Sequence, residues 1–402
     1  MFIFRKRMWA MVVVAVAASA VAALGLPAGN SAAATSTATA RATAAAVAAA
    51  RAGSNWPTGI PRPAAPSCAS RGGGTPLLPY RAENLPGGGY AYDYMIAGKE
   101  SQYIVPPSNF NPRTAPVAKL TEYGFPREPA SGAMRANWVS AMTSYKKVPL
   151  PSFCLGDHMS TGAVPAPRAA GTPKAATKDY YNWAGAEVDA SSSTYIAAQG
   201  SWGQSGVHPC NCTGATDEST WAGIGGVDDG ALLQAGTDMT NTTISAWYEY
   251  LHDCVAGDPS QGECGPAEIS VGTVTAGDTI FTQTSYETSN DLANFFVEQD
   301  GTSFPIKSVS LDHSYYNGQT AEWIDERPSY CQSGCYKPLT NFLYNDWTSV
   351  EAENTSGTWQ DVGNITNRYY DVMINTSNNV LVNPSALCAG CSTFTDTWER
   401  AS

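Results

Sequence analysis

Gln234 and Glu322 carry the side chains in this chain best suited to chemistry. Gln234 lies in Ala231-Leu232-Leu233-Gln234-Ala235-Gly236-Thr237-Asp238, an uncharged amide inside a run that otherwise reads as a buried strand. Glu322 lies in Thr320-Ala321-Glu322-Trp323-Ile324-Asp325-Glu326, between apolar neighbours. A carboxyl held among apolar groups tends toward a raised pKa and can take and return a proton. A primary amide can donate to a developing oxyanion without carrying charge. Together they could hydrolyse a peptide bond with no serine, cysteine or metal. Other hydrolase signatures are missing: there is no Gly-x-Ser-x-Gly elbow, no His-Glu-x-x-His pair and no Asp-Thr-Gly or Asp-Ser-Gly. His208, His252 and His313 have no obvious serine partner.

The elements that must position these residues read as strands. From residue 180 onward the chain is rich in Thr, Val, Tyr and Trp, with frequent Gly and Asn turns. Ile244 to Tyr250 has strand composition, and alternation sends Ser245, Trp247 and Glu249 to one face and Ala246, Tyr248 and Tyr250 to the other. Thr279 to Thr284 is a second strand. Many short strands between turns favour a sandwich of two antiparallel sheets. Before residue 180 a helix is expected at Ala133 to Met142, with Met134, Trp138 and Met142 on one face.

Five segments, taken in order, resemble the glutamic peptidases (the eqolisins, peptidase family G1). They are Tyr181-Asn182-Trp183-Ala184-Gly185, Trp221-Ala222-Gly223-Ile224-Gly225-Gly226, Leu233-Gln234-Ala235-Gly236, Ala246-Trp247-Tyr248-Glu249-Tyr250 and Ala321-Glu322-Trp323-Ile324. The resemblance implies an all-β fold, a lectin-like (concanavalin-like) sandwich of two antiparallel sheets. It implies a secreted acid endopeptidase with Gln234 and Glu322 as catalytic residues and no metal or cofactor. Glu322 acts as general base and then acid; Gln234 holds the water and stabilises the oxyanion. Trp247 and Glu249 line the substrate cleft, with Trp221 and Asp228 as further contacts and Trp183 as core or wall. Fungal members place an Asp where Gly225 stands, a role left here to Asp228 or Asp229. Ser245 and Leu251 also replace polar positions of the fungal pattern, which bears on specificity more than on activity.

The N-terminus reads as a secretory signal peptide over residues 1–34. Arg5, Lys6 and Arg7 precede an apolar Met8 to Ala23, and small residues follow. A membrane anchor is the alternative. Residues 35–178 hold 15 Lys+Arg and 6 Asp+Glu, a net +9; residues 179–402 hold 5 and 29, a net −24. Such asymmetry points to a basic, mixed and partly irregular pro-segment over 35–178 that inhibits an acidic catalytic domain over 179–402 and leaves it in acid. A permanent accessory domain is the alternative. Ala163 to Ala176 reads as a Pro/Ala-rich hinge, with maturation between Lys174 and Lys178. Polypeptides are the expected substrates, the pro-segment the expected inhibitor and a monomer the expected state; a −24 domain excludes nucleic acid. No membrane partner is expected once the signal peptide is cleaved.

Ten cysteines in an exported chain read as disulfides. Cys68 and Cys154 are candidates to pair. Cys254 with Cys264, Cys331 with Cys335, and Cys388 with Cys391 bracket short loops, while Cys210 and Cys212 look too close to bond to each other. A zinc site from His208, Cys210, Cys212, Cys388 and Cys391 is the competing reading. Two other functions compete with peptide hydrolysis. One is a non-catalytic lectin-like carbohydrate-binding protein, with Trp247, Trp323 and Tyr250 as stacking platforms. The other is a retaining glycosidase using Glu249 and Glu322.

Overall fold

Strand alternation and cross-strand register organise this chain into two stacked layers. In the computed structural model the described residues are 56–96, 99–129, 133–156, 162–166, 177–190, 195–227, 231–241, 243–252, 268–310, 316, 318–329, 335–387 and 390–402. The signal segment lies outside them, as do Asp228, Asp229, Cys254, Cys264, Cys331, Cys388 and most of the expected hinge.

The front of the chain contributes β1 (Thr75–Leu77), β2 (Arg81–Asn84), β3 (Tyr90–Ile96), β4 (Lys99–Val105), α1 (Val117–Glu122), α2 (Ala133–Ser144) and β5 (Phe153–Leu155). Then follow β6 (Thr177–Tyr180), β7 (Trp183–Asp189), β8 (Tyr195–Gly203), β9 (Ser219–Gly225), β10 (Ala231–Thr240), β11 (Thr243–His252), β12 (Ile269–Val274) and β13 (Thr279–Glu287). The chain ends with β14 (Leu292–Gln299), β15 (Thr302–Ser310), β16 (Thr320–Glu326), β17 (Tyr344–Asn354), β18 (Trp359–Asp361), β19 (Arg368–Ile374), β20 (Val380–Pro384) and β21 (Thr393–Trp398). The strands expected at 244–250 and 279–284 are present and longer than expected.

The first sheet runs β1-β5-β12-β11-β10-β9-β16-β7-β19-β6. The second runs β2-β3-β4-β15-β14-β13-β8-β17-β21, with β18 also on β17, and β20 bonds to both β19 and β21. Pairing is antiparallel except where β6 lies parallel to β19. One face of the first sheet turns Ala186, Ile224, Leu233, Ala235, Tyr248 and Trp323 inward, against Trp202, Ile280, Phe295, Val297 and Trp347 of the second. Polar groups tie the layers: Thr282 Oγ1 donates to Ala235 O (3.1 Å), Thr284 Oγ1 to Ala222 O (3.2 Å) and Trp323 Nε1 to Gln199 O (2.6 Å). Gly200 is bare because a Cβ there would lie 2.9 Å from both Trp323 and Trp347.

A second core lies on the outer face of the second sheet. Phe281 and Phe296 are covered there by Leu120, Phe125, Trp138 and Met142. Helix α2 thus buries Trp138 and Met142 as its pattern predicts; the Met134 side chain lies outside the described set. The front of the chain is far more regular than its composition suggests. Strand β5 extends the first sheet through Ile269↔Leu155, and β4 extends the second through Ile306↔Tyr103.

Cys68 and Cys154 are bonded to each other, as their isolation in sequence suggests. Cys210 and Cys212 are also bonded to each other, against expectation. A turn brings their Cα atoms to 5.2 Å, inside the range a disulfide spans. Cys335 and Cys391 each take part in a disulfide whose partner lies outside the described residues. These sulfurs are therefore not thiolates, and the zinc alternative loses Cys210, Cys212 and Cys391 as ligands.

The interior holds an unusual number of carboxyls. Thr220 Oγ1 donates to Glu218 (2.6 Å) and to Asp325 (2.8 Å), and Asn345 Nδ2 donates to Asp325 (2.6 Å). Burial pushes Glu218, Asp325 and Asp396 up, Glu218 and Asp396 well above the usual carboxylate range. Burial likewise pushes Glu298 up to about 7, against hydrogen bonds from Ser144 and the Gly301 N–H. A carboxyl raised in the folded state binds its proton more tightly there than in the unfolded chain. Its contribution is complete below its ordinary value of 4.5 and is lost as pH rises through about 7. Glu298 alone accounts for up to ~3 kcal/mol. Unfolding followed by calorimetry is expected to give a Tm several degrees higher at pH 4 than at pH 8, and Glu298→Gln is expected to flatten part of that slope.

Candidate active site

The face of the first sheet turned away from the inter-sheet core carries one continuous row of side chains. Register aligns Tyr369 with Glu187, Glu187 with Glu322, Glu322 with Gly223, Gly223 with Gln234, and Gln234 with Glu249. The row crosses β19, β7, β16, β9, β10 and β11. Adjacent strands lie ~4.8 Å apart, so the Gln234 and Glu322 backbones stand ~10 Å apart, with Gly223 between them. Gly223 has no side chain to fill the space that the two longer residues flank. A Cβ there would meet Leu233 O at 2.8 Å, the Trp221 ring at 2.9 Å and Gln234 Cβ at 3.2 Å.

Gln234, Glu249 and Glu322 are fully buried. Gln234 Nε2 donates to Glu249 Oε2 at 2.8 Å, which sets the orientation of the amide. Gln234 Oε1 and Trp247 Nε1 meet no hydrogen-bond partner among the described residues. The next row of the same face holds Ile324, Trp221, Gly236 and Trp247 in register. Trp221 Nε1 donates to Glu326 Oε2 (2.9 Å) and its ring meets Trp183 edge-on at 5.0 Å, so both indoles form a fixed wall. The expected residues Gln234, Glu322, Trp247, Glu249 and Trp221 therefore share one face; Asp228 lies outside the described residues. Glu249 and Glu322 are separated by three strand spacings, ~14 Å between backbones. That exceeds the carboxyl separation of a retaining glycosidase, ~5–5.5 Å, and Glu249 is engaged by Gln234.

Sequence reasoning missed the acidic end of the row. Glu187 is fully buried beside Glu322. Lys178 forms ion pairs with Glu187 and, at 3.0 Å, with Asp189, and its ammonium lies 4.2 Å from the Tyr369 ring centroid. Tyr180 Oη donates to Glu187 Oε2 at 3.2 Å. Burial pushes Glu187 up to about 7 even with Lys178 pulling it down, and Asp189 adds to the rise. Asp371 is held well above the usual range by burial and then by Glu187 and Glu322. The alternation of Gly185, Glu187 and Asp189 was a usable signal, but nothing local showed that this face meets Glu322.

Part of the expected hinge also belongs to this face. Ala163 packs with Trp183, Trp221, Leu232, Trp247 and Ile324. Its N–H donates to Gly226 O (3.1 Å), and the Asn182 side chain bridges Val164 N and Gly162 O. Residues 162–166 are thus docked on the face instead of swinging free.

A model of the Peptidase A4 family matches residues 181–391, a span that contains the whole row from Tyr369 to Glu249. The chain belongs to this family, the eqolisins, and is a glutamic-type peptidase, a hydrolase of peptide bonds. Among solved structures it is similar to Scytalido-glutamic peptidase with a peptide-based transition state analog, at 19% identity and a TM-score of 0.43, covering 55% of this chain and 98% of that one. It is also similar to SCP-B, a member of the Eqolisin family, in complex with the tripeptide Ala-Ile-His, at 20% identity and a TM-score of 0.43, with the same coverages. No curated protein matches.

The gap over Gly223 gives a direct test of this geometry. Gly223→Ala is expected to displace Gln234 and lower kcat/KM for a peptide substrate at least tenfold, while costing ~1–3 kcal/mol of stability from overpacking. Near-UV circular dichroism and steady-state kinetics on the same sample separate the two effects.

Proposed function

We propose that the chain is an exported acid endopeptidase in which Glu322 and Gln234 act together on a water molecule over Gly223. The single observation that carries the reading is the register row: a carboxyl and a carboxamide on one face, flanking a position with no side chain. Ionised Glu322 polarises the water, whose oxygen attacks the scissile carbonyl carbon while Glu322 takes its proton. The carbonyl oxygen gains the negative charge, and an amide N–H of Gln234 donates to it. The carbon–nitrogen bond then breaks, and Glu322 passes the proton to the leaving amine. Glu249, by accepting from the other amide hydrogen, keeps the Gln234 donor aimed. One oxyanion donor typically contributes ~10²–10³ in rate. An ordinary Glu titrates near about 4.3, so a base that must also act as an acid suits an acidic medium.

The chain's own segment serves as inhibitor in this reading. Residues 162–166 and the side chains of Lys178 and Tyr180 lie on the catalytic face and must move before a polypeptide can take their place. Maturation therefore opens the stretch between β5 and β6. Export is supported by the basic and apolar N-terminal pattern and by the disulfides. Among the described residues no helix is long and apolar enough to cross a membrane.

The test is a digest of casein or haemoglobin across roughly pH 2–5, a range centred on Glu titration. Glu322→Gln is expected to lose at least ~10³ in turnover and Gln234→Ala ~10²–10³, with both proteins folded. Full turnover in folded Glu322→Gln would remove it as the base. A wild type without proteolysis, whose glycan binding survives Gln234→Ala, would favour the lectin reading instead.

A further inference from the structure

The front of the chain is bound to the catalytic sandwich in a way that a removable covering is not. Strand β5 is an integral member of the first sheet, and β4, β3 and β2 form one end of the second. Phe153 is fully buried between the layers, 4.4 Å from the stacked Tyr94 ring and 6.2 Å from Tyr248. Tyr250 Oη donates to Ile96 O at 2.8 Å, and Ser303 N to Lys147 O at 3.0 Å. Without residues 56–156, β12 and β15 become bare edges open to another chain. The outward rings of Phe281 and Phe296 also lose the cover of Phe125, Trp138 and Met142 and become an apolar patch.

We propose that residues 56–156 are a permanent half of the enzyme, which remains docked as a second polypeptide once the chain is cut between β5 and β6. This rests on the reading above that this stretch opens before turnover. What leaves the catalytic face is the short strap that includes residues 162–166, and the front region does not act as the inhibitor.

Among the described residues charge is a minor part of the junction, where Arg127 favours the ionised form of Glu353 and Lys146 that of Glu298. The ion pairs of Arg81 with Glu83 and Asp93, of Arg113 and Arg135 with Glu128, and of Lys119 with Glu122 are all internal to the front region. Acidification therefore leaves the strand pairing and apolar packing of the junction in place. At the junction Ser144 Oγ donates to Glu298 (2.8 Å), beside Lys146, Asp300 and the Gly301 N–H. Burial raises Glu298, so the closed junction is favoured on the acid side and loosens as pH rises through about 7.

The experiment uses the full chain carrying Gln234→Ala, nicked by brief trypsin treatment at Arg168 or Lys174. The nicked protein is run on size exclusion at pH 4 and pH 7, with intact-mass analysis of each peak. The two fragments are expected to co-elute in equal amounts at pH 4 and to part in denaturant. A folded C-terminal fragment eluting alone at pH 4 overturns the proposal. Wild type matured in acid is analysed the same way: an active peak holding both fragments supports the proposal, and an active peak holding the C-terminal fragment alone overturns it. No turnover is read in the Gln234→Ala arm, so dissociation there leaves the Gln234/Glu322 assignment standing.

Discussion

Cross-strand register is the constraint on which this molecule depends. A strand residue's side chain points up or down with a period of two, so a one-residue slip of β10 or β16 would send Gln234 or Glu322 into the inter-sheet core. Two observations show how that register is held. Inward residues such as Ile224, Leu233 and Trp323 fill the space between the layers. Cross-layer bonds from Thr282, Thr284 and Trp323 then pin the backbones of β10, β9 and β8. The row that holds Gln234 and Glu322 is thus a consequence of packing on its opposite face.

Glu187, Glu322, Gln234 and Glu249 of that row are buried in the intact chain. Gln234 and Glu249 fix each other, and the indoles of Trp183 and Trp221 hold the wall beside them. In the proposed mechanism a buried amide fixed in this way needs no reorganisation when charge develops on the substrate, which is where donors of this kind gain their effect. The neighbouring Glu187, Asp371 and Lys178 make the other end of the row strongly acidic, with one cation holding it in the intact chain. The same preference for protonated carboxyls recurs around Glu218, Asp325 and Asp396, so this part of the fold favours the acid side of the pH scale.

The front of the chain changes how the charge asymmetry is understood. A net +9 against −24 suggests two bodies attracted across an interface. The structure instead joins them by shared sheets and a shared apolar core, with the ion pairs of the front region internal to it among the described residues. Lys178 is an exception of a different kind, a basic residue placed directly on a catalytic-face carboxyl.

By itself the sequence determined the sandwich class, the strands around Gln234, Glu249 and Glu322, the helix that buries Trp138, and the pairing of Cys68 with Cys154. These follow from alternation, from local composition and from five motifs in order, all of which are short-range or family-wide signals. Only the tertiary structure decided that Glu187 stands beside Glu322, that Gly223 is the gap between the two catalytic candidates, and that Glu249 orients Gln234. It also decided that Cys210 and Cys212 bond to each other and that β4 and β5 belong to the catalytic sheets. Each of these depends on which strand lies next to which, or on the path of a turn. Pairing across strands distant in sequence is settled by the packing of both layers at once, and no local pattern of residues carries that information.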